Sequence, residues 1–307
     1  MPKHKKNLKK YGILTAKALF LVVVLWLVYS KTNLQEILSH MQTIEVRWLW
    51  LGLIIATFGQ IFSALRTRIY LSSIGLQLKR RFVLPLYFVG ALFNVALPGG
   101  IGGDAYKVLL LNRFTGTKKA ALFRVVLADR GSGLMMLLIL LFAVSLCNET
   151  ILNQPFGIVI ALAILFTSLA GYCVATRFIT QEKPITSLRA AGYSFCVQIG
   201  TMLSSLCALS ALMQNPVSLT EANPYILLMF VSSVASILPI SIGGAGVREI
   251  TFLYGAPFLG LDQEFSIALA FLIYIINIAP ALLGVGFWHF LEYLYQHGDK
   301  KIEMKLS

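Results

Sequence analysis

Seven charged side chains lie in or beside long apolar stretches of this 307-residue chain: Asp104, Lys107, Arg124, Asp129, Arg130, Arg248 and Glu249. An ionised group surrounded by hydrocarbon is costly unless it meets a partner or faces a water-filled cavity, so each marks an ion pair or a site. Two of the cations occupy matching places. Leu97-Pro98-Gly99-Gly100-Ile101-Gly102-Gly103-Asp104 and Leu238-Pro239-Ile240-Ser241-Ile242-Gly243-Gly244-Ala245-Gly246 share the skeleton Leu-Pro-x-x-Ile-Gly-Gly. They start 141 residues apart, and each is followed by a cation, Lys107 or Arg248. Pro98 and Pro239 remove an amide donor and end a helix; the glycine pairs permit tight turning and close approach of another backbone. The free N–H groups of the next helix, with its dipole, then form an anion site for a phosphate or carboxylate headgroup. Close helix packing is the alternative, since Gly99 and Gly103 also spell GxxxG. The repeated cation favours the anion site.

The candidate substrate-binding residues are therefore Gly99, Gly100, Gly102, Gly103, Asp104, Lys107, Arg124, Asp129 and Arg130 in the first half. Ser241, Gly243, Gly244, Gly246, Arg248 and Glu249 are their counterparts in the second. Arg248 and Glu249 are adjacent and point to different helix faces, and Asp129 and Arg130 likewise call for separate partners. Arg124 also fits a snorkelling residue at the interface, and Arg66 and Arg68 read as topology determinants near the end of a span. Gln60, Asn94, Gln198 and Asn277 are uncharged candidates for lining a cavity or joining helices. Asp104, Asp129 and Glu249 are candidate proton carriers.

The composition explains why such residues stand out. The chain is 57% hydrophobic and 13% charged, with a mean hydropathy of +0.77, whereas soluble domains are about 25% charged. It reads as an all-α polytopic membrane protein. The net charge of +13 is clustered between apolar segments and at the termini, which fits orientation in the bilayer and contact with anionic lipid rather than nucleic acid. Four cysteines and four histidines form no ligand or redox pattern, so no metal and no cofactor are expected. The glycine loops lack the Gly-Lys-Ser/Thr ending of a nucleotide-binding loop, and no nucleophile–base set appears, so the leading reading is a transporter, with an enzyme as the alternative.

The elements that must position these residues follow from charge and hydropathy. A basic cytoplasmic N-terminus, 1–11, precedes a first membrane repeat over 12–150, a second and inverted repeat over 151–292, and a basic cytoplasmic tail over 293–307. Full spans are expected at 12–30, 48–71, 121–147, 156–176, 189–213 and 265–292, with a polar outside loop at 31–47. The segments 82–112 and 223–257, which hold the glycine motifs, are expected to be re-entrant helical hairpins entering from opposite faces. For the first, this keeps Lys118 and Lys119 on the cytoplasmic side. Each half is then three transmembrane helices plus one hairpin, the pattern of an alternating-access transporter with its site at the repeat interface.

The two glycine motifs, with Asp129-Arg130 and Val247-Arg248-Glu249, resemble the lysylphosphatidylglycerol synthetase transmembrane-region family of flippase-like membrane proteins, over about residues 12 to 292. In its best-known members this region is similar to a lipid flippase, fused to an aminoacyltransferase domain. With the chain stopping at Ser307, no such domain is expected here. The resemblance implies lipid translocation in the cell inner membrane, with a phospholipid or other anionic lipid as partner. The alternative is a membrane-embedded lipid-modifying enzyme subunit, or a scaffold for a separate lipid or glycolipid transferase.

Overall fold

A computed structural model describes residues 19, 22–24, 26–96, 102–174, 184–237 and 244–296. The described residues are helical, with no strand. In chain order the helices are α1 (Leu34–Gln42), α2 (Val46–Ser73), α3 (Arg80–Ala96), α4 (Gly102–Thr115), α5 (Lys119–Ser145), α6 (Glu149–Leu152), α7 (Gly157–Val174), α8 (Pro184–Met213), α9 (Leu219–Ala235), α10 (Val247–Phe258), α11 (Gln263–Ile278) and α12 (Leu283–Gln296). A 3-10 turn, Ala279–Leu282, joins the last two at Pro280.

Four helices among the described residues are long and apolar enough to cross a membrane: Val46–Ser73, Lys119–Ser145, Thr186–Met213 and Gln263–Tyr293. This is a multi-pass membrane protein. The expected first span lies mostly outside the described residues, and the expected fourth is the shorter helix α7. The polar stretch 31–47, expected as a loop, holds α1: Leu34, Ile37, Leu38 and Met41 recur at helical spacing, and Asn33 caps the helix by accepting the Gln35 N–H at 3.1 Å.

Helices α2 and α8 cross at the centre and are the most extensively packed pair. Small residues make this possible, as expected where lipid tails compete equally for apolar surface. A Cβ on Gly52 would lie only 3.2 Å from Cys207 Cβ and 3.3 Å from the Ser204 carbonyl. Around this axis the two glycine-motif segments each form a pair of helices. In the first, α4 runs back along α3. Gly103 packs on Gly90, Lys107 lies over Tyr87, and Phe114 meets Phe82 edge-on with 5.3 Å between ring centroids. In the second, α10 returns along α9, with Gly255 against Leu228 and Gly244 beside Ser236. Both α3 and α9 are 17 residues long and carry proline at the sixth position, Pro85 and Pro224. Helix α3 packs on α12 and the 3-10 turn; helix α9 packs on α5.

Two apolar cores hold the frame. One gathers Tyr70, Leu71, Leu78, Phe82, Leu86 and Leu122. The other gathers Met229, Phe230, Phe252, Leu253, Ile267 and Leu269.

Candidate functional site

Helices α2, α4, α5 and α8 bring their polar residues into two adjoining clusters that meet at Asp129 and Arg130 of α5, buried except for Arg130. Asp104, in the first turn of α4, is bridged on both oxygens: Lys107 Nζ lies 2.8 Å from Oδ1, and Arg130 Nε of α5 donates to Oδ2. The turn spacing of 104 and 107 places both on one face of α4. Lys107 is 6% exposed, and its ammonium also sits 4.8 Å from the Tyr87 ring centroid. Its stem lies against Gly90, where a Cβ would be 2.9 Å from Lys107 Cδ. Asn94 Oδ1 accepts the Gly103 N–H at 2.9 Å, tying the end of α3 to the start of α4.

One residue before Arg130, Asp129 faces another direction and pairs with Arg66 of α2 at 2.8 Å. Arg66 Nη1 continues to Ser194 Oγ of α8 at 3.1 Å, and Ser194 Oγ reaches Ser132 Oγ of α5 at 3.3 Å. Gln198 Nε2 donates to the Gly133 carbonyl at 3.1 Å. Arg66 therefore does more than set topology: it is buried and links three helices. Its sequence position near the end of a span concealed this; the signal available was Asp129, which beside Arg130 calls for a counter-charge of its own, with Ser132 one turn further on. Asp129 and Arg130 do take separate partners, as their adjacency demands.

The second site differs in kind. Gly246, at φ 89, a value suited to glycine, opens α10. The Glu249 carboxylate turns back to accept the Gly246 N–H at 2.6 Å, satisfying a donor at the helix start. Glu249 is thereby held by backbone rather than by Arg248. Arg248 is 9% exposed, and its Nε and Nη1 have no hydrogen-bond partner among the described residues. Tyr274 of α11 and Glu249 lie in electrostatic range of it. A guanidinium has five donors and no way to become neutral. Burying it with two nitrogens unmatched creates a strong demand for an acceptor.

Of the other candidates, Gly102, Gly103, Gly244 and Gly246 flank the two helix starts. Gly99, Gly100, Ser241 and Gly243 lie outside the described residues. Arg124 is exposed on α5 and joins no hydrogen bond or ion pair of the network, which fits the snorkelling alternative. Gln60 and Asn277 are half-buried, and the Asn277 amide donates to its own helix, at the Ile273 carbonyl.

A family model described as the lysylphosphatidylglycerol synthase TM region matches residues 13–188, more than half of the chain. The chain belongs to this family. The match takes in the Asp104–Lys107–Arg130 bridge and the Arg66–Asp129 pair, while Ser194, Arg248 and Glu249 lie beyond it. No curated protein matches the chain.

Proposed function

We propose that this protein is a lipid translocase, a flippase-like transporter that moves a phosphate-bearing headgroup between leaflets while the acyl chains stay in lipid. The observation that carries the reading is Arg248: a buried, permanently charged fork with two nitrogens unmatched among the described residues, beside the start of a helix. A phosphate supplies acceptors in the geometry that guanidinium favours. Membership of a family described as a lysylphosphatidylglycerol synthase membrane region supports a lipid-related role.

The two helix pairs are read as re-entrant hairpins within an inverted repeat. Support comes from how packing partners exchange when one half is laid on the other. Helices α2 and α8 pair with each other, α3 packs on α12 and its turn, and α9 packs on α5. Lengths agree as well. At 1.5 Å per residue, α3 reaches about 26 Å and α10 about 18 Å, short of a core of about 30 Å. In this reading the N- and C-termini face the cytoplasm of a cell inner membrane, in keeping with the basic ends.

The two halves divide the chemistry. Lys107 is already paired with Asp104, whereas Arg248 has unmatched nitrogens, so Arg248 is the primary contact for the headgroup. Proteoliposomes carrying a headgroup-labelled anionic phospholipid test this. Arg248→Ala is expected to lower translocation at least tenfold, with Arg248→Lys restoring part of it and the folded protein still monodisperse. Unchanged translocation in Arg248→Ala would overturn the reading.

A further inference from the structure

A groove of about 580 Å³ lies between α3 and α12, away from the polar network. Its walls include Arg81, Leu84 and Pro85 from α3 and Gly286, Phe287 and Phe290 from α12. The size falls within the range of about 300–1,000 Å³ common for ligand pockets. Two glycines shape it. At Gly284 the helices touch, since a Cβ there would lie 2.5 Å from the Phe88 carbonyl. At Gly286 a Cβ would meet nothing within 4 Å. The helices therefore pack closely at Gly284 and leave open space at Gly286, with Pro85 on the opposite wall.

The lining is apolar except for Arg81, and that exception has a fixed place. Arg81 is exposed and stands at the start of α3, where the helix dipole adds positive potential. Glu292 is the one carboxylate in the sequence of α12. It follows Phe290 by two residues, about 200° around the helix, so it does not face the groove. A trough of hydrocarbon side chains on a multi-pass membrane protein needs hydrocarbon to fill it, and a cation at its end favours an anion there. We infer that this groove is a phospholipid-binding site, taking one acyl chain between α3 and α12 and the phosphate of an anionic headgroup on Arg81. The inference concerns binding and does not depend on transport.

A second groove, about 240 Å³, provides an internal control. It lies between α2 and α11, with Leu49, Trp50, Leu53, Leu272 and Ile275 among its walls, and no charged residue lines it. It should accept acyl chains without regard to headgroup.

The test uses the full chain in phosphatidylcholine nanodiscs. These are doped with either phosphatidylglycerol or phosphatidylcholine bearing a photoreactive group on the acyl chain, and cross-links are mapped by mass spectrometry. A single cation near the headgroup region is worth about 1 kcal/mol, or about fivefold. The phosphatidylglycerol probe should label the α3–α12 groove about fivefold more than the phosphatidylcholine probe. Arg81→Gln should abolish that preference. Arg80→Gln removes the same charge from the same surface but not from the groove lining, and should retain the preference. Gly286→Trp should cut labelling by both probes. The α2–α11 groove should be labelled equally by both probes in every variant. Equal labelling of the α3–α12 groove in the native protein, no labelling there, or equal loss of preference in Arg80→Gln and Arg81→Gln would overturn the proposal. If Gly286→Trp fails to fold, the two arginine variants decide, because both residues are exposed.

Discussion

Lys107 keeps its position because Gly90, opposite it on α3, has no side chain. A Cβ there would lie 2.9, 3.0 and 3.1 Å from Lys107 Cδ, Cγ and Cε, so Gly90→Ala pushes the ammonium away from Asp104. Overpacking of this kind costs about 1–3 kcal/mol, and a lower thermal midpoint in detergent should report it. Gly171→Ala is the control: its Cβ enters open space on α7, and it should leave the midpoint unchanged or raise it slightly. The Arg66–Asp129 pair makes a sharper case. Asp129→Asn leaves a buried guanidinium without its counter-charge, at a cost of about 3–5 kcal/mol. The double variant Arg66→Met with Asp129→Leu removes both charges and should recover most of that loss. If the double variant is as unstable as the single one, the pair is not a self-contained unit. These pairings were only half legible in the sequence. The adjacency of Asp129 and Arg130 required two partners, but nothing in residue order said that Arg66 was one of them, because helix crossing, not spacing, brings α2 to α5.

At the scale of elements, Glu249 joins two readings, a proton carrier and a helix cap. Its carboxylate accepts the Gly246 N–H at 2.6 Å, three residues back, which is the reciprocal half of a capping box. Glutamine can make the same bond. Glu249→Gln should therefore keep both thermal stability and translocation, while Glu249→Ala should lose about 0.5–2 kcal/mol of stability, the range of a lost cap. Loss of translocation in a stable Glu249→Gln would make the carboxylate a chemical participant instead. Helix ends were the best-marked features of the sequence. Both apolar segments break into two helices around their Leu-Pro-x-x-Ile-Gly-Gly motifs, α3 with α4 and α9 with α10. The amphipathic α1 was hidden by its polar composition, although Asn33 and the spacing of Leu34, Ile37, Leu38 and Met41 announce it. The 3-10 turn in the last apolar run was hidden for the opposite reason: hydropathy stays high across Pro280, so composition reads one span where the backbone makes two helices.

For the whole molecule, the direction in which α4 leaves α3 fixes how many times the chain crosses the bilayer. Phe114, near the end of α4, lies against Phe82, near the start of α3, with 5.3 Å between ring centroids. Helix α4 thus returns along α3 to the level of Phe82, and under the proposed hairpin residue 118 lies on the side of the bilayer from which α3 enters. A helix continuing outward from residue 96 would instead carry residue 118 to the far face and place Lys118 and Lys119 there, against the charge rule. Labelling separates the two arrangements. Three of the four native cysteines are exposed, so they are first replaced. Single cysteines at Ser39, Lys118 and Asn215 are then treated with an impermeant maleimide in oriented vesicles. Position 118 should label from one face and positions 39 and 215 from the other. The 215 result follows because α8 is a full crossing of 30 residues that begins on the basic side. Labelling of 118 and 39 from the same face would make the first glycine motif part of a continuous span. It would also invert every later helix relative to α2 and remove the proposed inverted repeat.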